Sequence, residues 1–134
     1  MDVETRYLTG NVFGEPAPAE HDVGPREQYH RVIEGADTAA KAITFNDTAI
    51  GFAEATDFNE SYLIVVQTGM QSAPDLVLEA ISRTDEGLHL AVAVAHPSWR
   101  GVDDDLITHS LLVRITDQTH DRPEAVSVAI AGYV

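Results

Sequence analysis

The chain contains no cysteine. That excludes disulfides, thiolate nucleophiles, zinc-finger and iron–sulfur ligands, and cysteine-ligated copper. It leaves the compartment open, because 134 residues supply enough apolar material for a core without covalent staples. Basic residues are nearly as scarce: eight stand against 22 acidic ones, and Lys41 is the only lysine. Without a basic stripe there is nothing to release counterions from a nucleic acid or to hold an anionic membrane. No run approaches the roughly 18 apolar residues of a membrane-spanning helix. No positively charged, apolar-cored leader opens the chain, and Met1-Asp2-Val3-Glu4 is acidic from the start. The expectation is a cytoplasmic protein, or a mature fragment whose leader was removed and to which Met1 was added for expression. Catalytic signatures are missing as well. There is no GxSxG elbow, no phosphate loop ending in Gly-Lys, no HExxH, no GxGxxG and no EF-hand pattern.

What is present is charge of one sign. The formal net charge is −14, and a small domain this acidic repels itself in dilute buffer. At ~1 M salt the Debye length shrinks to about 3 Å, so the repulsion is screened while the carboxylates remain as a hydrated shell. Scarcity of lysine also removes long apolar stems from the surface. The composition reads as that of a domain working in concentrated salt. The apolar fraction of 44% is that of an ordinary globular protein.

The whole chain, 1–134, reads as a single domain with two textures. Residues 1–60 look irregular. Glu15-Pro16-Ala17-Pro18 and Gly24-Pro25 signal a loop, flanked by candidate strands over 6–13 and 27–33. Asp37 to Ile43 reads as a short helix with Asp37 or Thr38 as its cap, and Asp47 to Ala55 as a second. Residues 61–134 read as an antiparallel β region. Tyr62-Leu63-Ile64-Val65-Val66 is continuous and β-branched, the pattern of a strand buried on both faces. From Asp75 to Ser82, Leu76, Leu78 and Ala80 fall on one side. Thr84-Asp85-Glu86-Gly87 then supplies turn chemistry before the alternating Leu88, Leu90, Val92 and Val94, which predicts a hairpin. Ile107, His109, Leu111, Val113 and Ile115 share one face of a further strand, and Val126, Val128 and Ile130 one face of the last. The fold class expected is mainly β, a β-sandwich or curled antiparallel sheet, with one or two short helices in the N-terminal half.

The densest polar stretch runs from His96 through Pro97, Ser98, Trp99, Arg100, Asp103, Asp104 and Asp105 to His109. Carboxylates and imidazoles at this density are candidate ligands for calcium or a transition metal, with His96, His109, Asp103, Asp104 and Asp105 as the set. Three consecutive aspartates do not easily converge on one ion, so the competing reading is a solvated acidic loop. His109 falls on an apolar face, where a hydrogen-bonded core histidine is the expected role. His89 falls opposite the Leu88 and Leu90 face and should be exposed. Trp99 beside Arg100 is a candidate binding pair, since both residue types are enriched at interface hot spots; the plainer role for Trp99 is to cap one end of the core. Ser98 and Ser110 lie close to histidines in sequence, but adjacent strand residues point to opposite faces. No catalytic residue is therefore assigned. Two of the three asparagines, Asn46 and Asn59, head Asn-x-Ser/Thr triplets and are glycosylation candidates if the chain is exported.

Ser61 to Gln67 and the closing Val126 to Val134 make the second half resemble small exported or lipoprotein-type β-domain proteins of halophilic archaea. More distantly, Leu63 to Gly69, Leu76 to Val94 and His96-Pro97 resemble the C-terminal β domain of PrcB-like protease-complex lipoproteins. That family usually carries a Gly-Gly-Tyr-like segment before the hairpin, where this chain has Ser72-Ala73-Pro74-Asp75. The resemblance implies a non-catalytic module that binds a protein partner. The favoured expectation is thus a non-enzymatic, extracytoplasmic interaction or accessory domain of a salt-adapted organism, with no cofactor. The alternatives are a metal-binding protein and an enzyme whose site no motif reveals.

Overall fold

The computed structural model describes residues 2–10, 12, 28–44, 46–70, 75–85, 87–95, 107–117, 123 and 125–131. These form strands β1 (Asp2–Thr9) and β2 (Gln28–Ile33), helices α1 (Ala36–Ala42) and α2 (Asp47–Glu54), and strands β3 (Ser61–Met70), β4 (Asp75–Thr84), β5 (Gly87–Ala95), β6 (Ile107–Thr116) and β7 (Ala125–Ala131). One sheet has the order β1-β6-β3-β2 and the other β4-β5-β7. The molecule is mainly β, as expected. Among the described residues no helix is long and apolar enough to cross a membrane.

The four-stranded sheet is the middle of three layers. On β3, Tyr62, Ile64 and Val66 face the second sheet, while Leu63 and Val65 face the helices; all are buried. This is why the run from Tyr62 to Val66 lacks alternation: both of its sides need apolar residues. The inner core joins these three to Leu111, Val113 and Ile115 of β6, to Leu88, Leu90, Val92 and Val94 of β5, and to Val128 of β7. On the opposite side Ala39, Ala42, Ala49, Phe52 and Ala53 of the helices pack on Ile33, Leu63, Val65 and Leu112. Burying each large aliphatic side chain contributes roughly 1.5–3 kcal/mol, so the inner core carries most of the stability.

Side chains tie the layers where strands do not. On one open side Gln28 Nε2 and His30 Nε2 donate to the carbonyls of Val128 and Val126, both at 2.8 Å. These bonds occupy the outer edge of β7, which would otherwise offer unpaired carbonyls to another chain. Arg83 at the end of β4 pairs with Asp117 just past β6. Beneath the helices Arg114 donates to Phe52 O at 2.7 Å and to Thr56 Oγ1 at 2.9 Å, and lies 4.1 Å from the centre of the Phe52 ring. A guanidinium thus caps the C-terminal carbonyl end of α2, where the helix dipole favours a cation.

Several expectations are corrected. The first strand spans Asp2–Thr9 rather than 6–13, because all eight of its residues find partners along β6 and Gly10, at φ +101°, ends it. Residues 1–60 are less irregular than their composition suggests, since they supply two strands of the central sheet. Helix α1 starts after Gly35, with no side-chain cap from Asp37 or Thr38. Helix α2 is capped by Asn46, whose Oδ1 accepts from Thr48 N and Ala49 N. A bulge between Leu78 and Ala80 shifts the register of β4, so Ile81 and not Ala80 packs against the core after Leu76 and Leu78. The second half is not wholly antiparallel. β7 runs parallel to β5 because β6 intervenes in the other sheet, and the returning chain enters in the original direction.

Two glycines make opposite predictions. Gly87 opens β5 at φ +149°, and a Cβ there would lie 1.9 Å from Ala125 O, at the first β5–β7 pair. Gly51 is exposed in α2 and a Cβ there meets nothing within 4 Å. Gly87→Ala should therefore destabilise by about 2 kcal/mol or more, while Gly51→Ala should stabilise by roughly 0.5–1 kcal/mol. Denaturant unfolding of both variants in one buffer checks the order; equal midpoints would contradict it.

Candidate functional site

Three strand connections leave one end of the sandwich. Thr9 at the end of β1 and His109 near the start of β6 are partners, as are Met70 and Ile107, and Gln28 and Thr68. In the other sheet Asp75 pairs with Ala95. Only four residues separate Met70 from Asp75, and at about 3.3–3.6 Å per residue they cannot reach the far end of a ten-residue strand. The segments numbered 10–27, 71–74 and 96–106 therefore all depart from the same end.

Under that end the interior turns polar. Gln67, Thr68, Thr108, His109 and Ser110 are each no more than 6% exposed, in the register pairs Gln67–Ser110, Thr68–His109 and Gly69–Thr108. On the next two rungs inward, Val66 pairs with Leu111 and Val65 with Leu112. The switch from apolar to polar thus falls at the same level on both strands.

Buried polar groups cost free energy unless they are hydrogen-bonded, and here most of them are. On the inner face the Tyr7 hydroxyl lies 2.5 Å from His109 Nδ1, with the two rings stacked at 5.8 Å between centroids. On the helix face Gln67 Nε2 donates to Ser110 Oγ at 3.1 Å, and that hydroxyl donates to Gly10 O at 2.7 Å. Gly10 N in turn donates to Thr108 O at 2.6 Å. The chain leaving β1 is therefore pinned on both sides of one residue. Among the described residues the buried hydroxyl of Thr108 has no hydrogen-bond partner. The layer is a polar floor in which side chains of β1, β3 and β6 and the Gly10 backbone are joined by hydrogen bonds.

The candidate residues fall unevenly on this frame. His109 belongs to the floor as a buried, hydrogen-bonded core histidine. His96, Trp99, Arg100, Asp103, Asp104 and Asp105 lie outside the described residues, in the stretch that joins β5 to β6. Among the described residues no three histidine, aspartate or glutamate side chains gather as metal ligands do. His89 is half-exposed on the outer face of β5, where its Nδ1 lies 2.8 Å from Ser127 Oγ. Asn46 and Asn59 are both exposed. Tyr7, Gln67 and Thr68 were not singled out from sequence, and Ser110 was weighed only as a nucleophile and set aside. Their signal was the paired polar break, Gln67-Thr68 after one apolar run and Thr108-His109-Ser110 before another, which matters only once the register is known.

Removing one partner from this floor should be costly. Tyr7→Phe keeps the ring and leaves the buried His109 nitrogen without that hydroxyl, a loss of about 1–3 kcal/mol. Urea unfolding reads it, and an unchanged midpoint would show that the contact adds nothing.

Compared with protein-family models, with curated proteins and with solved structures, the chain matches none of them.

Proposed function

We propose that this chain is a non-enzymatic interaction domain of a salt-adapted organism, working outside the cytoplasmic membrane, and that it holds a protein partner at the polar-floored end of the sandwich. The observation that carries the reading is the buried hydrogen-bonded layer at that end. Binding segments work best on a rigid base, and the described residues supply one. Trp99 and Arg100 are the anchors, since an aromatic and a guanidinium in one connection are the side chains that most often dominate a protein interface. The export reading draws support from the exposed Asn46 and Asn59 and from the resemblance of the second half to exported β domains.

The test is the double substitution Trp99→Ala/Arg100→Ala. Protein immobilised in concentrated salt should retain a specific partner from a cell-surface extract, and that partner, once purified, should bind directly. The double variant should lose the binding while keeping its thermal midpoint. Unfolding of the variant would make Trp99 a core residue, and full binding by the folded variant would move the site elsewhere.

Salt dependence checks the other half. With a net charge of −14, stability should climb as added salt takes the Debye length from about 10 Å at 0.1 M to about 3 Å at 1 M. The thermal midpoint followed across that range should rise with sodium or potassium chloride alike. A flat or falling curve would sink the salt-adapted reading.

A further inference from the structure

The helices leave a space that their own side chains do not fill. α1 and α2 meet through alanines, with Ala39 and Ala53 buried where longer side chains would otherwise interlock. The result is a cleft of about 530 Å³ walled by Ala39, Ala40, Ile43, Ile50, Ala53 and Phe58. That volume lies within the roughly 300–1,000 Å³ typical of small-molecule sites.

The polar groups of the cleft are sorted by sign. Two carboxylates, Asp37 of α1 and Glu54 of α2, belong to its lining, and both are exposed. Among the described residues neither has an ion-pair partner. Among the described residues no lysine, arginine or histidine lines the space. The guanidinium of Arg114, which reaches Thr56 Oγ1, is committed to Phe52 O, the Phe52 ring and Glu4. The Thr56 hydroxyl also donates to Phe52 O at 2.9 Å, so it makes no demand on an occupant.

We propose that the cleft between α1 and α2 binds a small apolar molecule bearing one positive charge, a hydrophobic ammonium, with its hydrocarbon among the alanines, Ile43, Ile50 and Phe58 and its charge at Asp37 and Glu54. A neutral molecule of the same shape would fill the apolar part alone, and an anionic one would meet two like charges. This site is separate from the polar-floored end and stands or falls independently of it.

The probes are n-octylammonium, n-octanol and n-octanoate, titrated into the full chain and followed by two-dimensional NMR at the lowest salt that keeps the fold. Octylammonium should shift resonances of α1 and α2 and bind about threefold to tenfold more tightly than the alcohol, the worth of one or two exposed ion pairs. Octanoate should bind most weakly. Ala40→Trp, at an exposed helix position lining the cleft, should abolish binding of all three. Asp37→Asn/Glu54→Gln should erase the preference for the ammonium while keeping the apolar affinity. No binding, equal affinity for the three probes, a preference that survives the double substitution, or binding that survives in folded Ala40→Trp would each overturn the proposal.

Discussion

The ladder between β3 and β6 is the constraint on which the rest depends. Ten residues of each pair without interruption, from Ser61–Thr116 to Met70–Ile107. Both strands are covered on both faces, so every position must suit a partner in the other sheet or in the helices. β1 and β2 attach to the outer edges of this pair. The second sheet has no hydrogen-bonded strand in common with it and is held by packing and by a few side chains. A fault in the ladder would therefore reach both cores, whereas a fault in β4 or β7 would stay within one.

That dependence explains where polar side chains are tolerated. Along most of the ladder a polar group would have no partner and would cost what any buried orphan costs. At its β6-starting end, register brings Gln67 opposite Ser110 and Thr68 opposite His109, and Tyr7 and Gly10 arrive from β1 to complete the bonds. The polar layer exists because three strands end together there. At the other end Arg83 and Asp117 join the two sheets with charge instead. The interior is thus apolar through its middle, with polar closures of different chemistry at its two ends.

Most of the elements were legible in sequence because burial imposes period. The two-sided apolar run of β3, the β4–β5 hairpin, the shared face from Ile107 to Ile115 and the inward face of β7 all follow from counting positions. What was not legible depends on partners. The bulge that replaces Ala80 by Ile81 leaves the composition of β4 unchanged and appears only when β5 is laid beside it. The parallel direction of β7 depends on which sheet β6 joins, which no local pattern encodes. Asn46 as the cap of α2 was hidden because it also reads as a glycosylation acceptor. The candidate site shows the same limit: His109 was noticed, but its partner Tyr7 lies 102 positions away and carries no local mark.

The two cores differ in the size of their parts, and that difference decides where space remains. Between the sheets leucine, isoleucine and valine pack together from both sides. Against the helices the sheet still offers Ile33, Leu63, Val65 and Leu112, but four of the five buried residues of α1 and α2 are alanines. Alanine favours the helix and costs no side-chain entropy, which helps two helices of only seven and eight residues to form. The same choice forgoes interlocking between them. Phe52 is the one large side chain among the five, and Arg114 stacks on it. A cleft on the helix face, and not between the sheets, is the geometric consequence.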